Sequence, residues 1–561
     1  MRREVSIVNK NVCSFPILFA LLALLIGTCA VVFPASAQAA PTSTGSITVS
    51  GTVACSYDAY QIFDANVVDG DNDAKIATDL AWASDAVRDV ALPVLHSAGM
   101  PNSQTTAQEA AEWLNTDSYL TSALSAQLAR SLQSSGAKSV ALNAGTTAEL
   151  PCGYWLIVAD DDAISQGEAG TAPIMALVGG SAVTVKPKAA TPKVAKHVLE
   201  DSTAAWQKAA DATVGDDLYW RLSATVPAGL TAYDTYAVQF VDTMSAGLDP
   251  SKVAASVRVY VAAGADGGFD AVSAGKDGRA GTDPAKGWTD ITAQCRVSVD
   301  GKTFTVRTGD LIAALGGADA FTAGARVVAV YNAPLNSACN HGIAKGNPNE
   351  VYLRYPRSPF ADQSVDAGFT HTPGDDACAY TWDLALTKRG SDGDKPLSGA
   401  VLSIADDRGR TLAADGTWDA EGKATVTTCE DGRVTVSGVD SGKLEVRELK
   451  APKGYIALEG TRSVTVKAEG LDVDQVAAAK PKLTITAESP LRADNADGST
   501  GSLEASLINT PAGTPPSIFT GGFMPLTGDM AMFTAAVVAV VGDALIVVAL
   551  LVKRGGGSHK E

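Results

Sequence analysis

A chain with an apolar run like the one at this C-terminus has to build the rest of itself on the far side of a membrane. Met530 to Val552 contains a single charged residue, Asp543, and is closed by Lys553 and Arg554. About twenty-three residues at ~1.5 Å rise reach ~34 Å, enough to span a hydrocarbon core once. The basic pair holds the last residues in the cytoplasm and leaves everything upstream outside. A mid-membrane Asp costs on the order of 2.5–3.5 kcal/mol, which so apolar a helix tolerates. The opposite end carries a matching export signal. Arg2, Arg3 and Lys10 precede the apolar stretch Phe15 to Phe33, and Ala35-Ser36-Ala37-Gln38-Ala39 offers small-residue cleavage sites after Ala37 or Ala39.

Length and charge narrow the classes further. A chain of 561 residues suggests three or four domains. A net charge of −18 repels phosphate backbones, so nucleic acid is not an expected partner. After signal removal six cysteines remain, none in a Cys-x-x-Cys, and the five histidines are scattered, so neither a metal nor a cofactor is expected. Asp69-Gly70-Asp71-Asn72-Asp73 lacks the sixth-position Gly and twelfth-position Glu of a calcium loop and reads as a solvated turn. No nucleophile–base pair or phosphate loop appears, so a secreted enzyme is the least supported class.

Two-residue alternation dominates the mature chain. Ser46 to Val53 and Tyr57 to Phe63 read as strands, followed by two helices. Thr106-Ala107-Gln108-Glu109 is a capping box opening one, and Leu120, Leu124, Leu128 and Leu132 line a face of the other. Leu150 to Val158 returns to strand. Further strands are expected over Leu218 to Val226, Tyr236 to Val241, Val257 to Val261, Thr303 to Val306, Val327 to Val330, Val351 to Tyr355, Trp382 to Lys388 and Leu503 to Asn509. Ala262 to Trp288 is a Gly/Asp-rich loop of the kind that closes the end of a β-sandwich. Thr510 to Gly522, rich in Pro and Gly, reads as a flexible leash.

Several motifs carry a resemblance. Met524-Pro525-Leu526-Thr527-Gly528, just ahead of the apolar run, resembles the Leu-Pro-x-Thr-Gly sorting signal of Gram-positive surface proteins, with Met524 in place of Leu. The resemblance implies that a sortase cysteine attacks the Thr527 carbonyl, releases Gly528 and passes the acyl group to an amine. Val183-Thr184-Val185-Lys186-Pro187-Lys188 is similar to the shaft-pilin motif Val-x-Val-Tyr-Pro-Lys, which places the acceptor amine on Lys188. Lys186 stands where that family has Tyr, so Lys186 and Lys193 stay open as acceptors, and a plain basic linker is the bland alternative. Tyr57 to Phe63 with Gly153 to Asp160 resembles the first domain of pilus shaft subunits. Trp206, Gly215-Asp216, Val226-Pro227 and Asp242 to Leu248 are similar to the middle domain. There a Lys near the first strand bonds an Asn on the last strand beside an Asp. Lys196 and Asp242 match the first and third roles. Tyr355-Pro356-Arg357 stands where the family has Tyr-Ser-Asn, so the bond is missing unless Asn347 or Asn349 reaches Lys196.

The C-terminal domain resembles the collagen-adhesin B-type domain, including the E-box Glu448-Leu449-Lys450-Ala451-Pro452-Lys453-Gly454-Tyr455. The resemblance implies an isopeptide bond between Lys388 and Asn509, with Glu448 as the acid. Burial lowers a Lys pKa and raises a Glu pKa, so a neutral amine could attack a carboxamide polarised through its carbonyl by Glu448.

The reading that follows is mainly β, with tandem immunoglobulin-like β-sandwich domains, a few helices in the N-terminal domain, a cleaved signal and a C-terminal membrane helix. Its expected divisions are 1–39 signal, 40–190 N-terminal pilin domain, 191–372 middle domain, 373–512 isopeptide domain and 513–561 anchor. Two cysteines fall in each domain, which gives the expected disulfides Cys55–Cys152, Cys295–Cys339 and Cys378–Cys429. The expected function is a pilus shaft subunit polymerised by sortase from Thr527 to Lys188 of an identical neighbour. The fibre is held by cell-wall peptidoglycan and meets host surface ligands. A non-polymerising adhesin and a basal pilin are the alternatives.

Overall fold

A computed structural model describes residues 43–50, 55–70, 74–116, 120–187, 191–228, 230–264 and 287–513. The signal segment, Lys188, the sorting pentapeptide and the C-terminal apolar run lie outside these residues. Among the described residues no helix is long and apolar enough to cross a membrane.

The N-terminal unit contains strands β1 (Thr44–Val49) and β2 (Ser56–Asp69), then helices α1 (Asp85–Ser97), α2 (Ala107–Leu114) and α3 (Ser122–Ser135). Strands β3 (Thr147–Pro151), β4 (Gly153–Ala159) and β5 (Val183–Val185) follow, and the further strands Lys75–Trp82, Val140–Asn143 and Ile174–Val178 pair with β2 or β4. Thr106 caps α2, its Oγ1 accepting from Glu109 N at 3.2 Å while Glu109 Oε2 accepts from Thr106 N at 3.0 Å, as the capping box predicts. Thr121 opens α3, and Gly136 closes it at φ +70°. Leu124, Leu128 and Leu132 face the core, whereas Leu120 precedes the helix and is 39% exposed. The sequence suggested two helices, and the described residues of this unit hold three. Pro93 sits inside α1 and disguises it, although Val87, Ala91, Val94 and Leu95 form a buried face. Asp69 accepts hydrogen bonds from Ser181 N and Lys75 Nζ, and residues 71–73 lie outside the described residues.

The middle unit is a sandwich. One sheet holds β6 (Val194–Glu200), β7 (Tyr219–Thr225), β9 (Arg258–Ala262) and β12 (Arg326–Asn332). The other holds β8 (Gln239–Met244), β10 (Arg296–Asp300), β11 (Thr303–Arg307), β13 (Asn347–Pro356) and β14 (Asp375–Tyr380). Trp220, Phe240, Phe304, Val327, Tyr331 and Leu353 fill the space between them. The β14 strand pairs with β13, Pro348 opposite Cys378, so the middle unit runs through Tyr380. The boundary expected at 372 falls too early, because it cuts off a strand whose hydrogen bonds belong to the preceding sheet.

The C-terminal unit packs two sheets around Trp382, Leu384, Leu402, Val446 and Leu503. The first contains β15 (Trp382–Gly390), β17 (Arg433–Val439), β21 (Leu491–Asp497) and β22 (Ser502–Asn509). The second contains β16 (Val401–Ala405), β18 (Gly442–Lys450), β19 (Thr461–Glu469) and β20 (Lys482–Ala487). First and last strands, β15 and β22, lie side by side and parallel, Lys388 opposite Leu507 and Gly390 opposite Asn509.

All six described cysteines are unpaired, and strand register opposes each expected disulfide. Cys55 sits at the Asp160 end of β4, whereas Cys152 lies at its other end against Ala65. About ten residues of extended chain separate the two levels, roughly 30 Å at ~3.3 Å per residue, against a bridging limit near 7 Å between Cα atoms. Cys295 adjoins the Arg296–Arg307 end of its sheet, and Cys339 packs on Gly247 near Asn347 at the other. Cys378 precedes the Trp382 end of β15, while Cys429 is bonded to Arg433 beyond Thr387. Counting cysteines per domain ignores which end of the sandwich each one occupies.

Candidate functional site

The C-terminal unit brings Lys388, Glu448 and Asn509 together. Lys388 and Asn509 are 0% exposed and Glu448 7%. Alternation on β15 turns Lys388 inward with Leu384 and Leu386, and alternation on β18 does the same for Glu448 with Leu444 and Val446. Lys388 Nζ contacts Asn509 Oδ1 directly and donates to Leu507 O at 3.0 Å. It lies 3.5 Å from Glu448 Oε1. Asn509 Nδ2 donates to both Glu448 oxygens at 3.0 Å and to Ile456 O at 3.0 Å, and Glu448 Oε2 also accepts from Leu458 N at 2.7 Å.

One detail differs from expectation. Glu448 faces the amide nitrogen of Asn509, the group that would leave, and the carbonyl oxygen faces the lysine. A half-turn of the carboxamide exchanges the two. Burial pulls the Lys388 ammonium down to about 8, with Glu448 opposing the shift. A sizeable share of the amine is therefore neutral near pH 8, the state that can attack a carbonyl carbon.

A second cluster fills the middle unit. Lys196 of β6, Asp242 of β8 and Asn349 of β13 are each 0% exposed, as is Tyr331 of β12. Lys196 Nζ contacts Asp242 Oδ2 and donates to Tyr331 OH at 2.9 Å, and Tyr331 OH donates to Asp242 Oδ2 at 3.0 Å. Asn349 Nδ2 donates to the same hydroxyl at 2.8 Å. Asn349 Oδ1 and Asp242 Oδ1 are buried without a hydrogen-bond partner. Burial lowers Lys196 to about 8 against the pull of Asp242, and burial raises Asp242. Lys, acid and carboxamide thus share one dry pocket between the two sheets.

The family position for the asparagine falls on Arg357; the carboxamide that shares this pocket is Asn349, eight positions earlier and one of the two alternatives left open by the sequence. The signal was available: Asn347, Asn349, Val351, Leu353 and Tyr355 alternate inward along β13. Asn347 is structural, bonding Asn340 through its N–H and O and Ala379 through its O. Arg357 points to Asp161 O instead.

Around the acceptor motif, β5 pairs parallel with β1, Ile47 opposite Val183, and Lys186 and Lys193 are exposed on either side of the gap at Lys188. The sequence showed no nucleophile–base pair, yet Cys339 Sγ lies 3.5 Å from His341 Nε2, and His341 Nδ1 lies 2.8 Å from Asp383. Burial pushes the Cys339 thiol up to about 11. The Cys339 and Asn340 N–H groups are already bonded to Asn336 O and Asn347 Oδ1, which leaves neither of them as an oxyanion donor. This trio fastens the middle unit to the C-terminal one. Among the described residues no group of three or more His, Cys, Asp or Glu could hold a metal.

A family model described as a SpaA prealbumin-like fold domain matches residues 383–480. The chain is 30% identical over 143 residues to the trypsin-resistant surface T6 protein of Streptococcus pyogenes serotype M6, covering 24% of each chain; the match therefore spans 24% of that relative's length. Among solved structures it is similar to the T6 backbone pilin of serotype M6 Streptococcus pyogenes, at TM-score 0.46 and 17% identity over 84% of this chain and 98% of that one. It is also similar to the major pilin SpaD from Corynebacterium diphtheriae, at TM-score 0.40 and 16% identity over 85% and 100%. A third similar structure is the major pilin BcpA of Bacillus cereus, at TM-score 0.38 and 11% identity over 84% and 99%.

Proposed function

We propose that this chain is a structural subunit of a covalent cell-surface pilus, stiffened by two internal isopeptide bonds and joined to its neighbours by a sortase. The observation that carries the reading is the pair of dry lysine–acid–carboxamide clusters. A buried ammonium beside a buried carboxamide is costly unless it reacts. In the C-terminal unit Lys388 Nζ attacks Asn509 Cγ, Glu448 carries the proton to the departing nitrogen, and ammonia leaves. In the middle unit Lys196 attacks Asn349 Cγ with Asp242 as the proton carrier, joining one sheet to the other. The only chemistry the chain performs is on itself.

Between subunits the sorting pentapeptide and the acceptor motif supply the ends. Sortase would cleave after Thr527 and transfer it to Lys188, with Lys186 and Lys193 flanking it as alternatives, and the last transfer would go to peptidoglycan. The exposure of Lys186 and Lys193, which flank Lys188 in sequence, supports the reading. Under this reading the folded units lie outside the cell, anchored at the wall, and meet host surfaces. A non-polymerising wall-anchored adhesin or a basal pilin would keep the internal bonds and differ only in assembly.

Surface material boiled in SDS tests assembly. A shaft subunit leaves a ladder of high-mass species that Lys188→Ala abolishes. Monomer alone, with every lysine free, would end the polymer reading. Intact mass tests the internal bonds, each of which removes one ammonia, about 17 Da.

A further inference from the structure

The two lysine clusters differ in how the acid meets the carboxamide. In the C-terminal unit Glu448 touches Asn509 Nδ2 with both oxygens at 3.0 Å. In the middle unit the acid is Asp242, one methylene shorter. Its Oδ2 is taken by Lys196 and Tyr331 and its Oδ1 is buried without a hydrogen-bond partner, so among the described residues neither oxygen is bonded to Asn349. Register explains the gap: Asp242 lies opposite Val351 and Asn349 opposite Met244, which makes the two side chains diagonal neighbours on one sheet face, with Cβ atoms about 7 Å apart.

The space between them is filled from the facing sheet. Tyr331 of β12 is 0% exposed, and its ring is pinned edge-on against Phe304 of β11, with centroids 4.6 Å apart. Its hydroxyl accepts from Lys196 Nζ at 2.9 Å and from Asn349 Nδ2 at 2.8 Å, and donates to Asp242 Oδ2 at 3.0 Å. One oxygen therefore touches the attacking nitrogen, the departing nitrogen and the acid. Burial and the Asp242 carboxyl push this hydroxyl well above its ordinary value, so at neutral pH it keeps a proton and passes one on only by taking another.

We propose that Tyr331 is a catalytic residue of the middle-unit bond, its hydroxyl relaying the proton from Asp242 to the nitrogen that leaves Asn349. This relay presupposes the Lys196–Asn349 bond proposed above and supplies a contact that Asp242 lacks. The Lys196 ammonium first gives a proton to Asp242 Oδ2, leaving a neutral amine and a neutral acid. Nζ then attacks Asn349 Cγ, the new C–N bond forms and the carbonyl electron pair moves to Oδ1. As the carbon becomes tetrahedral the Nδ2 lone pair is freed; the Tyr331 O–H turns to it and gives up its proton while Asp242 reprotonates the Tyr331 oxygen. The Cγ–Nδ2 bond breaks, ammonia departs, the Oδ1 electrons restore the carbonyl, and Nζ returns its surplus proton to Asp242. One amide and one ammonia result, with Tyr331 and Asp242 both protonated at the end.

The test uses chain made by cell-free synthesis, in which both lysines start unreacted, with samples quenched in acid over time and weighed as peptides. Tyr331→Phe keeps the ring against Phe304 and removes the relay. The Lys196–Asn349 bond should then form about a hundredfold or more slowly, while the Lys388–Asn509 bond, whose acid touches its carboxamide, should stay within about twofold of the parent rate. An amine-reactive label applied before denaturation reports folding, since an unjoined Lys196 is shielded only in a folded middle unit; where the label reaches Lys196, a second comparison on the parent chain decides. There the relay moves two protons to the departing nitrogen where Glu448 moves one, so D2O should slow the middle bond more than the C-terminal one. A folded Tyr331→Phe chain that joins Lys196 at the parent rate, or equal slowing of both bonds in D2O, overturns the relay and leaves the isopeptide reading standing. A parent chain that yields no branched Lys196–Asn349 peptide removes that reading itself, and the relay with it.

Discussion

Glu448→Gln is the sharpest perturbation of the proposed chemistry. The substitution keeps shape and one acceptor for Asn509 Nδ2 or Leu458 N, and removes the group that carries the proton. The chain should fold with Lys388 and Asn509 in contact but unjoined. The loop that the bond would close spans 121 residues, for which the chain-entropy model gives about 5 kcal/mol at 25 °C. For a unit of roughly 130 residues with ~2.1 cal/mol/K of unfolding entropy per residue, this amounts to ~15–20 °C in Tm. Intact mass and calorimetry on the same sample give both numbers. The variant should lack the ammonia loss of the C-terminal unit and melt lower by that amount. Comparing it with Asn509→Ala and with the double variant separates the missing bond from altered packing, since all three are unjoined and should melt within a few degrees of one another. A Glu448→Gln protein that still loses the ammonia, or that lacks the bond yet melts as the parent does, would refute the reasoning.

Asn349→Ala or Asp242→Ala should each remove a second loss of about 17 Da, mapped by peptide mass spectrometry to a branched Lys196 peptide, and leave the C-terminal bond intact. Bond formation in freshly refolded chain should accelerate as pH rises through about 8, where burial leaves Lys388 and Lys196 half neutral, and stopped samples weighed over time check it. In Asn509→Ala the unreacted Lys388, depressed below its unfolded value near 10.4, holds fewer protons folded than unfolded between these values; stability should rise across pH 8 to 10 and gain nothing below, read by denaturant melts. Alkylation in denaturant without reductant should label Cys55, Cys152, Cys295, Cys339, Cys378 and Cys429 alike, and unlabelled pairs would contradict the register argument.

The mainly β character and most strand positions were legible because two-residue alternation is a local signal, as in Trp382 to Lys388 and Leu503 to Asn509. Lys388, Glu448 and Asn509 were legible as a set only through the resemblance to the collagen-adhesin B-type domain, since each alone reads as a surface residue. Asn347 and Asn349 stayed open together because the tripeptide at the end of β13 gives no partner, and only the strand pairing separates Asn349, beside Tyr331, from Asn347, bonded to Asn340. Helix α1 was hidden by Pro93. The disulfides went astray for a different reason: pairing depends on where each cysteine falls along a sheet, and composition holds no such coordinate.

The parallel neighbours β15 and β22 have a consequence for length. Traction entering the C-terminal unit at Trp382 would travel a few residues to Lys388, cross to Asn509 and depart, and the 121-residue interval would be shunted out of the route. Freed, that interval would pay out roughly 420 Å at ~3.5 Å per residue; stapled, it yields almost none. A fibre made of such units would transmit a tug from tip to wall at nearly constant contour, and would spend none of it on unravelling.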